Sequence, residues 1–169
     1  MTENRQLVAI GHLHGLFAQL SVPYWLFGGW AVDFHAGRVT RDHADIDVAV
    51  WFSDLDRAKG VLQQEGWEVS ADSPEGGYLE LHHGSLHLDL TYLARDESTG
   101  EVYTPLPEGR GTWTEGAFGD NIAELDGVRA HVVRLDSLIA DKSEDRSDPV
   151  SAMKDHADLG VLQSLDGGG

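Results

Sequence analysis

The sequence predicts an α/β (α+β) protein: a small mixed, twisted β-sheet flanked by helices, with a short helical part at its C-terminal end. Three observations carry that prediction. Segments with apolar residues every three or four positions are interleaved with shorter runs that are wholly apolar or strictly alternating, the periods of helix and of strand. Glycine and proline punctuate the junctions between them. And 169 residues, 41% hydrophobic and 24% charged, suit one core of ordinary globular composition rather than a fibrous or unfolded chain.

Leu7, Ile10, Leu13, Phe17 and Leu20 lie on one helical stripe, so a helix is predicted from about Glu3 to Leu20, stopped by Ser21-Val22-Pro23. Tyr24-Trp25-Leu26-Phe27 is wholly apolar and reads as a buried strand. Gly28-Gly29 supplies a turn, and Trp30 to His35 reads as a helix that opens after it and stops at Gly37. Asp45-Ile46-Asp47-Val48-Ala49-Val50-Trp51 alternates, which places both aspartates on one strand face and Ile46, Val48 and Val50 on the other. Ser53 caps a helix predicted to run to about Glu65, with Gly66 ending it.

Trp67-Glu68-Val69 reads as a short strand, and Ser73 to Gly77 as a turn. Tyr78 to His82 and Leu86 to Leu93 form a hairpin whose second arm turns His87, Asp89 and Thr91 to one side and Leu86, Leu88, Leu90 and Tyr92 to the other. The stretch from Arg95 to Gly111, polar and rich in proline and glycine, reads as an extended loop able to grip a substrate. Asp126-Gly127 is a tight turn between Ile122–Leu125 and Val128–Val133. Asp136 or Ser137 caps a helix to about Glu144, and Asp148-Pro149 opens a last helix to about Leu159, followed by a disordered Gly167-Gly168-Gly169. The expected division is a core domain, residues 1–112, and a small hairpin and helical part, residues 113–169.

Composition excludes some chemistry. With no cysteine there is no disulfide, no thiol nucleophile and no cysteine-ligated metal. A formal charge of −17 opposes binding to a nucleic-acid backbone and attracts cations, although solubility alone accounts for such a balance equally well. No apolar run is long enough for a membrane helix and no signal-type segment opens the chain, so the expected location is the cytoplasm, with no membrane partner.

Asp45, Asp47 and Asp89 are the candidate catalytic and metal residues. Carboxylates crowded on one face of adjacent strands repel one another unless a cation neutralises them, and magnesium prefers a few such oxygens completed by water and phosphate. Upstream, Gly28 and Gly29 precede a helix whose N-terminus favours an anion, so metal and phosphate sites together imply a nucleoside triphosphate. A single Asp-x-Asp or a single glycine pair is common. The order of apolar strand, Gly-Gly, helix, Asp-x-Asp strand and later strand-borne aspartate is specific.

These residues carry a resemblance. Gly28-Gly29-Trp30-Ala31-Val32-Asp33, followed by Gly37-Arg38-Val39-Thr40-Arg41-Asp42-His43-Ala44-Asp45-Ile46-Asp47, resembles the nucleotidyltransferase superfamily related to DNA polymerase beta. Within it the run is most similar to the aminoglycoside 2''-O-nucleotidyltransferases and the lincosamide nucleotidyltransferases. The similarity is strong over residues 24–66, extends to His87-Leu88-Asp89-Leu90 and fades afterwards; Trp30 stands where many superfamily members carry a serine.

The resemblance implies a nucleotidyltransferase-type fold and two Mg2+ ions on Asp45 and Asp47, with Asp89 as third ligand or general base. It also implies ATP or another nucleoside triphosphate as co-substrate and transfer of AMP to an acceptor hydroxyl with release of pyrophosphate. Gly28, Gly29, Arg41, His43 and Lys142 are the nucleotide-binding candidates. Arg41 and His43 serve equally well as internal salt-bridge or turn contacts, Lys142 as a solvated helix lysine, and Asp33 as a residue orienting Arg38 or Arg41. Lys154-Asp155 and Asp158-Leu159 resemble a pattern of the last helix of small nucleotidyltransferases and read as structural.

The acids Glu97, Glu101, Glu108 and Glu115 either meet a polycationic acceptor or are simply solvated. His82, His83 and His87 allow a zinc site only with poor geometry, because neighbours on a strand point to opposite faces; His87 shares Asp89's face and is placed to shape the acceptor pocket. The leading expectation is an aminoglycoside acceptor, whose ammonium groups suit an acidic protein. A lincosamide acceptor and a regulatory enzyme modifying a protein hydroxyl are the alternatives. The expected assembly is a monomer or homodimer.

Overall fold

The computed structural model describes residues 4–143 and 149–167. Helix α1 (Arg5–Leu20) opens on Asn4, whose side chain accepts the Leu7 N–H at 3.2 Å, and closes on Ser21 in the left-handed region. Then come β1 (Tyr24–Phe27), α2 (Gly28–Ala36), β2 (Ile46–Trp51), a single 3-10 turn at Phe52–Asp54, and α3 (Leu55–Gln64). β3 (Glu68–Ser73), β4 (Tyr78–His83) and β5 (Leu86–Arg95) follow, then the short hairpins β6 (Val102–Leu106) with β7 (Gly109–Thr112) and β8 (Ile122–Leu125) with β9 (Val128–His131). Helices α4 (Leu135–Lys142) and α5 (Pro149–Gly167) complete the described chain.

The sheet order is β1-β2-β5-β4-β3, with β6 and β7 extending from the end of β5. Only β2 and β5 run parallel; the other pairs are antiparallel, which makes the sheet mixed. One face is apolar. Leu26, Val48, Leu90 and Leu79 stand in register across β1, β2, β5 and β4, all buried, and share one core with Ile10, Leu13 and Phe17 of α1 and Ala58 and Leu62 of α3. Fully burying such a side chain contributes about 1.5–3 kcal/mol, so this row commits the register and leaves the opposite face to the polar residues. On that opposite face Phe27, Asp47, Asp89 and Glu80 stand in register.

Several boundaries differ from the sequence reading. Helix α2 begins on Gly28, not after the glycine pair. Strand β3 continues past Val69 to Ser73; it is an edge strand with alternating burial and a bulge between Val69 and Ala71, and edges tolerate the polar residues that hid it. The expected loop from Arg95 to Gly111 contains β6 and β7, with Pro105 opposite Arg110 in a peripheral hairpin where a lost N–H is tolerated. β9 stops at His131, and Val132 instead forms a parallel bridge to Leu26 while the Val133 N–H reaches the Leu26 carbonyl at 3.0 Å.

Asp54 rather than Ser53 stands before α3, and α4 starts at Leu135, ahead of both expected caps. Helix α5 runs through Gly160 to Gly167, because Leu162 is fully buried and packing there outweighs the helix cost of one glycine. The expected ends at Glu3 and Glu144, the Asp148 cap and the Gly168-Gly169 tail lie outside the described residues.

Candidate functional site

The site forms where β1 passes into α2. Gly28 has φ +67°, and a Cβ there would run into the Asp47 carboxylate. A Cβ on Gly29 would stand 2.5 Å from both Arg41 Nη2 and His43 Nδ1. Both glycines are therefore required by close approach, and Gly28 by backbone conformation as well. The result is a helix N-terminus held bare against the loop that leads into β2.

That loop is folded around Asp33. Its side chain, fully buried on α2, accepts the Thr40 N–H at 3.1 Å and the Thr40 hydroxyl at 2.5 Å, and its other oxygen meets His43 Nε2 at 2.5 Å. Trp30 lies against the His43 ring with centroids 4.7 Å apart, and the Gln6 side-chain amide donates to the His43 carbonyl at 2.9 Å. Asp33 thus orients His43 and Thr40, not Arg38 or Arg41 as the sequence reading weighed.

Arg41 is held elsewhere. Its Nε donates to Asp158 Oδ1 at 2.8 Å and its Nη2 to Oδ2 at 2.9 Å, a two-pronged pair reaching across to α5. Lys142 Nζ lies 3.1 Å from Asp155 and 3.1 Å from the same Asp158, with only 8% of its side chain exposed. Lys142 is therefore not a solvated helix lysine. Burial pushes the Asp158 carboxyl up, but hydrogen bonding from Arg41 and the charge of Lys142 outweigh it and hold the group below its ordinary range. The hydrogen bonds to Asp158 push Arg41 further up in turn.

Asp45, Asp47 and Asp89 come from the loop before β2, β2 itself and β5. One ligand atom each from Asp45, His87 and Asp89 lie within 4.8 Å of one another, and Asp47 stands in register with Asp89 on the same face. His87 Nε2 meets Asp89 Oδ1 at 3.0 Å. Burial, then the hydrogen bond and charge of Asp45, push the Asp89 carboxyl up to about 6, with His87 opposing. Carboxylates crowded this closely repel one another unless a cation neutralises them, which marks a place for a hard divalent cation. The oxygen donors fit magnesium, with His87 as the partner that orients Asp89.

A cavity of about 360 Å3 joins these parts. Gly28, Gly29, Arg41, His43, Asp45, Asp47 and Lys142 all line it, together with Phe27, Lys154 and Asp155. Asp89 is not among the lining residues but lies beside it, with one carboxylate oxygen within 4.8 Å of an Asp45 oxygen. The structure thus places the residues that the sequence singled out for metal and nucleotide in this cavity, with Asp89 beside it, but Arg41 and Lys142 meet it already paired to α5.

Two residues were missed by sequence reasoning. Glu80, half-buried, is the direct neighbour of Asp89 across the β4–β5 ladder, a placement legible in the alternation Tyr78, Glu80, His82 once that hairpin is registered. Lys154 was read as structural and lines the cavity. Of the histidines in the zinc reading, His82 and His87 meet edge-on with centroids 5.3 Å apart, while His83 lies edge-on against Trp67 at 5.6 Å. His14 is occupied by the Tyr24 hydroxyl at 2.6 Å. Glu97, Glu101, Glu108 and Glu115 are exposed.

Residues 9–137 match a family model described as aminoglycoside-2''-adenylyltransferase. Among curated proteins the chain is similar to a lincosamide resistance protein of Staphylococcus haemolyticus, 31% identical over 83 residues, which is 44% of this chain and 52% of that protein. It is also similar to a 2''-aminoglycoside nucleotidyltransferase of Klebsiella pneumoniae, 26% identical over 117 residues, 69% of this chain and 63% of that protein. The chain thus spans between about half and two thirds of the length of these relatives.

Among solved structures it resembles a lincosamide antibiotic adenylyltransferase with lincomycin bound, with TM-score 0.74 and 21% identity over 98% of this chain and 99% of that one. It also resembles ANT(2'')-Ia in complex with adenylyl-2''-tobramycin, with TM-score 0.67 and 18% identity over 98% and 97%. At such identity these likenesses establish the shared fold.

Proposed function

Because this chain belongs to the aminoglycoside-2''-adenylyltransferase family, we propose that it transfers AMP from ATP to a hydroxyl of an aminoglycoside, with magnesium, releasing pyrophosphate. The observation that carries the proposal is the single cavity in which an aspartate pair and a bare helix N-terminus meet beside Asp89. Magnesium held by Asp45, Asp47 and Asp89 would supply positive charge where negative charge develops, on the α-phosphoryl oxygens and on the leaving pyrophosphate.

The chain's own groups account for the rest. The N–H groups opening α2 face anionic oxygens, and Gly28 and Gly29 let those oxygens approach. Asp89 Oδ accepts the proton of the attacking hydroxyl, and His87 holds that carboxylate in one orientation. Glu80, one strand over, offers its charge to an acceptor ammonium. The net charge of −17 supports a polycationic acceptor.

A lincosamide acceptor is the second reading, favoured by the 31% identity to the lincosamide resistance protein. A pyrophosphate-release assay with ATP, magnesium and a panel of aminoglycosides and lincosamides tests both. Release with an aminoglycoside is the expected result; release only with lincosamides selects the second reading, and none with either class overturns the proposal.

A further inference from the structure

Resting on that reading of the aspartates as a metal site, we infer that His87 is itself a metal ligand: with Asp45 and Asp89 it forms a site of mixed oxygen and nitrogen donors that takes a first-row transition ion in preference to magnesium. The sequence reading left His87 to the acceptor pocket, and in the metal-free chain it orients Asp89. Its place beside two carboxylates gives it this further capacity.

Among the described residues, Asp45, His87 and Asp89 are the one group of three such side chains whose ligand atoms fall within 4.8 Å of one another. His87 Nε2 stands 3.0 Å from Asp89 Oδ1. Two adjacent donors around an octahedral ion with bonds of about 2.1 Å stand about 3 Å apart, so this contact suits a shared ion as well as a shared proton. The backbone commits the placement. Leu88 and Leu90 are fully buried on the other face of β5, so His87 and Asp89, which alternate with them, project together. His82 stands opposite His87 on β4, its ring edge-on at 5.3 Å, and limits how far the imidazole can swing. The side chains of His87 and Asp89 are 33% and 24% exposed, so an ion reaches them without opening the fold.

An imidazole nitrogen is a poor partner for magnesium, which prefers oxygen and gives up its water reluctantly, and a good one for Co2+, Fe2+ or Zn2+. Neutral His87 needs only to carry its proton on Nδ1 for the Nε2 lone pair to face an ion. The two ion positions on this face therefore differ in chemistry. Asp45 with Asp47 offers carboxylate oxygen, whereas Asp45 with Asp89 is joined by a nitrogen, and the transition-metal preference belongs to the ion beside Asp89.

Pulsed electron paramagnetic resonance of Mn2+ bound to the full chain without nucleotide tests the ligand directly. The wild type is expected to show coupling to a directly bound nitrogen, which isotopic labelling of histidine alters. His87→Gln is expected to lose that coupling, because glutamine can still donate to Asp89 but carries no imidazole, while His82→Gln keeps it. In calorimetric titrations His87→Gln should weaken Co2+ about ten-fold or more and Mg2+ by less than about two-fold, whereas loss of a merely orienting partner weakens both ions alike. A wild-type chain that binds Mn2+ with no nitrogen coupling or binds Mg2+ as tightly as Co2+, a coupling that survives in His87→Gln, or parallel losses of Co2+ and Mg2+ overturn the inference and leave the proposed function standing. A wild-type chain that binds none of the three ions, with or without tripolyphosphate, overturns both.

Discussion

Asp158→Asn probes the ion-pair group that joins α5 to the site. The substitution keeps the volume of the side chain but removes the charge that faces Arg41 at 2.8 Å and Lys142 at 3.1 Å. Breaking a buried pair by removing one partner costs about 3–5 kcal/mol, because the charge left behind has no counterpart. Here Asp155 still faces Lys142 and the Arg41 side chain is 21% exposed, so both retain some compensation and the low end, about 3 kcal/mol, is expected. For a chain of this size that lowers the unfolding temperature by roughly 6–12 °C.

The pH dependence carries a sign. The folded-state carboxyl of Asp158 is held below its unfolded value of 3.8, so its stabilising contribution is fully present above that value and disappears as pH falls through the folded one. Thermal unfolding of wild type and variant across a pH series should show a constant gap from about pH 5 to 8 that narrows below about pH 4. A gap smaller than about 1 kcal/mol at neutral pH, or one that widens on acidification, would refute the reasoning.

Gly28→Ala should leave most of the stability but lower turnover by about a hundred-fold. The left-handed backbone costs an alanine about 1–2 kcal/mol, and its Cβ displaces Asp47 by a distance that catalytic alignment does not tolerate. Steady-state kinetics beside a denaturant titration check this, and unchanged turnover would count against Asp47. Glu80→Gln should raise the acceptor KM about ten-fold while leaving the KM for ATP unmoved, and equal changes in both would remove Glu80 from the acceptor face. Raising ionic strength should weaken a polycationic acceptor more steeply than ATP, as parallel KM series can decide.

The legible parts of the molecule were those where a local pattern and the tertiary fold demand the same thing. The alternation read from Asp45 to Trp51 is a strand from Ile46 onward, with Asp45 just before it, and its partner strand carries Asp89 in register with Asp47. Asp126 and Gly127 both have positive φ, as their turn requires. The second half of β3 was hidden because edge strands shed the apolar alternation that betrays central ones, and β6 and β7 because their proline and glycine read locally as loop.

The role of Arg41 was not legible for a different reason. An arginine beside a phosphate site and one in a structural ion pair are identical in local sequence, and its partner Asp158 lies 117 residues away.

The central claim is that Asp45, Asp47 and Asp89 jointly hold divalent ions beneath a triphosphate. Titration of Mn2+ into the protein with a non-hydrolysable ATP analogue, followed by electron paramagnetic resonance, tests it most directly. The account predicts two bound ions per wild-type chain and fewer, more weakly held ions in Asp47→Asn and Asp89→Asn chains that remain folded. Wild-type stoichiometry and affinity in both variants would contradict it.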